Sequence, residues 1–253
     1  MKSVLRYGLL GLLAFLLFLL LLAPATLITE PLAERLPGFS VQMVEGTATD
    51  GAASGLRWRG VQVDRLFWNW RPLALLTGWL EFHLKIDDPE IRLAGKAAMN
   101  PGQRLRFREL AGRLRLAELA MLAGKPKLPL QGVVEFDLRE LRLNPAGRPQ
   151  AADGVAHLLN LRVTLGQPLT LGDFTAQFKP ADPEGVQGVV RDNNGPLALE
   201  GAFSLMPDGR YRFSGQAAVR DANNRALRQA MNLLGPPGND GRWALNFSGA
   251  LPL

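Results

Sequence analysis

Cysteine is absent from the 253 residues. That excludes a disulfide framework, a thiolate metal site and a cysteine nucleophile. Histidine is nearly absent, with only His83 and His157, each isolated in the sequence. No HExxH, GxxxxGK or strand-linked GxGxxG motif occurs, and Ser54, Ser204, Ser214 and Ser248 lack a GxSxG context. Asp87-Asp88 is a carboxylate pair, but Pro89 follows it, so it reads as a turn between strands. Together these absences point to a chain that is not an enzyme and needs neither cofactor nor metal.

Lysine is scarce, six residues against 23 arginines, in a chain of net charge +6. A basic balance suits nucleic acid, anionic lipid or an acidic protein surface, and charge alone does not choose among them. Helical periodicity is scarce too. Leu227, Ala230, Met231 and Leu234 carry it over 224–234, with Asp221 or Asn223 as the expected cap and Gly235 followed by two prolines as the stop. Pro72–Thr77 and Ala117–Ala123 could each form a short helix or turn.

What is present begins at the N-terminus. Residues 1–6 carry Lys2 and Arg6, and Tyr7 to Ile28 are uncharged and mostly leucine. As a helix that segment spans roughly 33 Å, against a hydrocarbon core of about 30 Å. Ala23-Pro24-Ala25 resembles a signal-peptide cleavage site, but signal peptides have apolar cores of only about 7–15 residues. An uncleaved transmembrane anchor over 7–28 is therefore expected. Lys2 and Arg6 hold the N-terminus in the cytoplasm and leave the remainder outside it. That orientation excludes nucleic acid as a partner. Residues 29–38 contain two prolines and a glycine and read as a linker.

Beyond the linker the dominant period is two. Phe82, Leu84 and Ile86 alternate with Glu81, His83, Lys85 and Asp87. Val134, Phe136 and Leu138 alternate with Glu135 and Asp137; Leu159, Leu161, Val163 and Leu165 alternate with Asn160, Arg162 and Thr164. Phe174, Ala176 and Phe178 share a phase, as do Tyr211 and Phe213, and Trp243, Leu245 and Phe247. Such alternation makes antiparallel strands with one apolar and one wet face. Asn100-Pro101-Gly102, Asn144-Pro145 and Pro207-Asp208-Gly209 read as turns, the last as a hairpin. Short glycine-led strands at Gly132, Gly201 and Gly215 share no fixed period, so no solenoid repeat is expected. The expected fold is mainly β: an N-terminal transmembrane helix, then one large curved antiparallel sheet over 39–253, about ten to fourteen strands, with a short helix near the C-terminus.

Four of the five tryptophans fall between Gly55 and Ile86: Trp58, Trp68, Trp70 and Trp79. A strand carrying Trp58 is followed by a strand over Val61–Asp64, an aromatic strand ending at Trp70, an interruption over 72–78, and a strand from Trp79. Gly55, Trp58, Gly60, Trp68, Trp70, Pro72, Leu75, Leu76 and Gly78 fit a G-x-x-W-x-G strand and a W-x-W/L-x-P-x-x-L-L-x-G segment. With the anchor and the ending LLGPPGNDGRWALNFSGAL, they resemble the protein N family of the bacterial type II secretion system. The likeness runs along the whole chain in order. It implies an inner-membrane accessory or assembly component that supports protein export across the outer membrane, with other components of that system as partners. It also implies kinship with the AsmA-like group, hence an alternative role in lipid binding or transfer. The family brings no catalytic residues. The four tryptophans either fill the core where the sheet begins or line an apolar groove or partner surface near the bilayer.

Overall fold

The computed structural model describes residues 7–8, 11, 15, 22–26, 38–122, 124, 129–181 and 185–250. Lys2, Arg6, most of the expected anchor and nearly all of the linker lie outside the described residues. Among the described residues no helix is long and apolar enough to cross a membrane.

Thirteen strands form one antiparallel sheet in which every strand pairs with its neighbours in sequence. They are β1 (Met43–Gly46), β2 (Asp50–Trp58), β3 (Val61–Arg71), β4 (Leu80–Asp87), β5 (Arg92–Met99), β6 (Leu105–Arg115), β7 (Leu130–Leu143), β8 (Pro149–Leu165), β9 (Gln167–Pro180), β10 (Val186–Asp192), β11 (Leu197–Leu205), β12 (Arg210–Val219) and β13 (Trp243–Ala250). Val61–Arg71 is a single strand, where two were expected. A 3₁₀ turn over Pro72–Thr77 joins β3 to β4. Helix α1 (Leu116–Leu122) follows β6 and α2 (Arg225–Asn232) precedes β13. β1 and β13 do not pair, so the sheet is open.

Register explains why period two dominates the sequence. One rung crosses all thirteen strands: Val44, Ala53, Leu66, Ile86, Leu93, Gly112, Phe136, Ala156, Ala176, Val190, Gly201, Gly215 and Leu245. Every member is apolar or glycine. A one-residue slip in any strand would carry its apolar set to the other face, so the pattern itself pins the pairing. The glycines make room. A Cβ on Gly201 would lie 2.5 Å from Phe213 Cζ, and one on Gly51 would lie 2.5 Å from Trp68 Cζ2. Aromatic rings from adjacent strands thus cover the glycine positions.

Two further expectations differ from the structure. Leu158, not Leu159, shares a rung with Val134 and Phe174. An irregularity between Leu158 and Leu161, with Asn160 at φ 52°, shifts the phase before Leu161 rejoins the apolar set. The cap of α2 is Asn224, whose Oδ1 accepts from Leu227 N at 3.1 Å; Asp221 instead turns the preceding loop by accepting from Asn223 N. The hairpin at Pro207-Asp208-Gly209 forms as expected, with Gly209 at φ 90° and Asp208 Oδ1 accepting from Arg210 N at 2.9 Å.

The ends of the strands define two rims. At the distal rim, α2 packs Leu227 and Met231 against Phe174, Leu197, Trp243 and Leu245. Also there, α1 and the tip of the β2–β3 hairpin cover Val61, Ile91 and Leu114. Arg59 Nη1 ties that tip to Leu122 O at 2.8 Å. The proximal rim carries the turns at 47–49, 72–79, 100–104, 144–148 and 206–209.

Candidate functional surface

Trp68 and Trp70 both lie on the apolar face and are buried. Trp68 forms a cluster with Ala53 and Ala25, and its Nε1 donates to Thr47 O at 3.2 Å. Ala25 arrives from the N-terminal segment. Pro24 bridges to Thr47, Ala48 N donates to Ala23 O at 2.7 Å, and Ala25 N donates to Gly46 O. The small-residue stretch Ala23-Pro24-Ala25 is thus tied into the sheet at the proximal rim. Nothing in its composition announced this, because the contact is made across the fold. The other ring differs: Trp70 Nε1 is buried and has no hydrogen-bond acceptor among the described residues.

Trp58 and Trp79 do not join them. Trp58 sits at the distal hairpin tip, half-buried, with the Arg59 guanidinium 4.9 Å from its ring centre. Trp79 precedes β4, and the Arg106 guanidinium stacks 4.3 Å from its ring centre. The four tryptophans therefore form one buried pair and two separate cation–π contacts, not a common lining.

The polar face explains much of the arginine. Arg113 pairs with Glu135 at 3.0 Å, Arg139 with Asp153 at 2.7 Å and Lys96 with Glu109 at 2.5 Å, each across neighbouring strands. Surface pairs of this kind contribute little each, and they keep the face wet. The face is not uniformly wet. Glu81 is 6% exposed, held by Arg108, and Glu118 is 4% exposed, accepting from Arg115 Nε at 2.9 Å. Asp88 is also buried. Burial alone would raise its pKa, but the backbone N–H groups of Glu90, Asp64 and Ile91 outweigh burial and hold the carboxyl below its usual range. The carboxylate pair is therefore a structural turn, as its Pro89 neighbour indicated.

His83 and His157 sit on the polar face. His83 accepts from Arg71 Nε at 3.2 Å, and burial, then Arg71 and Lys96, lower its pKa. His157 Nδ1 lies 3.0 Å from Thr175 Oγ1. Among the described residues no group of three metal-ligating side chains gathers. A hollow of about 810 Å³ lies over the polar side of β11–β13. Its polar groups satisfy one another: Arg220 with Asp192, Arg242 with Gln216 at 3.3 Å, and Ser214 with Asn246 at 2.9 Å.

The apolar face is less completely covered. No residue of β7 is buried, although Val134, Phe136, Leu138 and Leu141 all point to that side. Toward the proximal rim Leu80, Met99, Tyr211 and Phe247 are exposed. Sequence periodicity identified this face. It could not show that helices cover only its distal end.

A family model described as Type II secretion system (T2SS), protein N, matches residues 37–246. A Type II secretion system protein N of Klebsiella pneumoniae is 29% identical over 229 residues, covering 88% of this chain and 86% of its own. Those of Vibrio cholerae and Pectobacterium carotovorum are 25% and 26% identical; each alignment covers 99% of this chain and 100% and 99% of the relatives. No solved structure matches. The match over most of its length, on an open β-sheet, makes this chain a member of the type II secretion system protein N family.

Proposed function

We propose that this component of the type II secretion machinery is a non-catalytic accessory or assembly part held in the inner membrane by one helix in the uncharged segment before Ala23, shorter than the expected Tyr7–Ile28 because Pro24 already bridges to Thr47 of the sheet. Its N-terminus is cytoplasmic and its β domain periplasmic. The supporting observation is the tether: Ala23–Ala25 is hydrogen-bonded to the sheet and Ala25 is 2% exposed. Cleavage after Ala25 would separate a segment that is part of the folded domain. The pairing of Glu81, Glu109, Glu135 and Asp153 with basic neighbours, and of both histidines with polar side chains, supports a scaffold over an enzyme. Fusions at Leu253 test the topology. Alkaline phosphatase activity without β-galactosidase activity is expected, and the reverse overturns the reading. So does a mature N-terminus at Thr26.

A lipid-binding role has its own support in the half-exposed apolar face, beside which the Trp70 indole N–H finds no acceptor among the described residues. Each buried CH₂ contributes about 0.8 kcal/mol, so half an acyl chain suffices for measurable binding. Native mass spectrometry of the purified full chain decides. A lipid adduct lost in a folded Trp70→Phe variant sustains this role. Lipid-free protein leaves the scaffold alone.

A further inference from the structure

The 3₁₀ turn at the proximal rim exposes three leucines: Leu73 is 78% exposed, Leu75 48% and Leu76 85%. None of them holds the turn together. Pro72 starts it, Thr77 Oγ1 donates to Ala74 O at 2.8 Å, and Gly78, in the left-handed region at φ 76°, donates to Leu75 O at 2.9 Å. Leu80 and Met99, paired at the adjoining strand ends, extend the apolar patch. Apolar side chains this exposed, on a turn that does not need them, mark an interaction surface.

Position on the sheet identifies the occupant. Trp70 N donates to Thr49 O at 2.6 Å, so the leucine turn leaves the sheet beside the 47–49 turn, which also binds Ala23–Ala25. The uncharged N-terminal segment therefore joins the domain next to the leucine turn. Three cations flank that turn. Arg71 donates to neutral His83, Arg106 stacks on Trp79, and Arg71, Arg104 and Arg106 make no ion pair among the described residues. Leucines at a tip, with an indole and unpaired arginines behind them, match the layering of a bilayer interface.

We infer that Leu73, Leu75 and Leu76 insert into the leaflet from which the N-terminal segment emerges, while Arg71, Arg104 and Arg106 meet its anionic headgroups. The domain then stands on the membrane by its proximal rim, a second contact beyond the helix. This rests on the anchor reading above.

The absence of cysteine makes the test clean. Full-length Leu76→Cys and Leu233→Cys variants are labelled with an environment-sensitive fluorophore and reconstituted into phosphatidylethanolamine–phosphatidylglycerol vesicles. Leu233 is 79% exposed and follows α2 at the distal rim, so it is the control. Shallow spin-labelled lipid is expected to reduce the Leu76→Cys signal at least about twofold and to leave the Leu233→Cys signal unchanged, because an inserted tip sits about 5–10 Å into the interface. Replacing Arg71 and Arg104 by glutamine is expected to weaken that quenching. Equal quenching at both positions in vesicle-bound protein overturns the tip proposal and leaves the anchor intact. Protein that fails to float with the vesicles overturns both.

Discussion

The two rims of the sheet are built from the same alternating strands and meet opposite fates. At the distal rim Leu227 is 1% exposed and Trp243 4%; at the proximal rim Leu76 is 85% and Phe247 46% exposed. Trp243 and Phe247 even occupy the same face of the same strand. Alternation decides which face a side chain joins, and only what lies across that face decides whether water is removed from it. Two short helices and a hairpin tip do this distally. Proximally, the turns carry leucines outward instead. The asymmetry has one exception: Trp68, Ala53 and Ala25 form a smaller core at the proximal rim, beside which the leucine turn stays exposed.

The comparison breaks most visibly if the distal core is opened. Trp243→Ala removes a buried ring that also donates to Gly235 O at 3.1 Å. It should cost about 3–5 kcal/mol in urea unfolding. A cost below about 1 kcal/mol would mean that α2 does not seal the sheet.

Asp88 gives a smaller effect at the same rim. Asp88→Ala orphans three backbone donors, at a cost of about 1–3 kcal/mol. Its folded pKa is depressed, so its contribution is present above the ordinary carboxylate value near 3.9 and is lost as pH falls through the folded value. Acid unfolding curves should therefore be flatter in Asp88→Asn than in the wild type. Identical acid limbs would remove Asp88 from the account.

These two residues show what the sequence could and could not disclose. Period two gave the apolar face, down to the rung that joins Val44 to Leu245. Proline, glycine and asparagine gave the turns, and the spacing of Leu227 and Met231 gave the one helix that packs on the face. The irregularity at Asn160 was hidden, because leucines occupy both phases there. Burial of Glu81, Asp88 and Glu118 was hidden too: Glu81 sits where alternation predicts water and is drawn in by Arg108 from a distant strand, Asp88 is held by N–H groups of its own turn and of Asp64, and Glu118 is held by Arg115 just before it. Ala25 under Trp68 is the extreme case: a residue read as membrane or cleavage site takes part in the sheet's core. The four tryptophans share one short stretch of sequence, yet the β2–β3 hairpin sends Trp58 to one rim and the 3₁₀ turn leaves Trp79 at the other.

His83 tests the proximal side by pH. Its folded pKa lies below the free value near 6.5, from burial first and then from Arg71 and Lys96. Its contribution is complete above that free value and lost as pH falls through the folded one. Between pH 7.5 and 5.5, the wild type should lose a little more thermal stability than His83→Gln, whose amide oxygen can still accept from Arg71. Parallel losses would show that the Arg71 contact does not depend on a neutral ring.

The smallest expected effect sharpens the comparison most. Leu76→Ser in the full chain should change unfolding stability by less than about 0.5 kcal/mol. The side chain is 85% exposed, and the turn is fixed by Pro72, Thr77 and the left-handed Gly78. Leu227→Ser, the same exchange on α2, should cost several times more, because it removes a fully buried side chain and leaves a hydroxyl among Phe174, Leu197 and Trp243. If Leu76→Ser costs as much as Leu227→Ser, then the leucine turn is packed against part of this same chain and the proximal rim is a second core. If it costs nothing, the leucines are free of any structural duty, as a surface kept for something outside the domain must be.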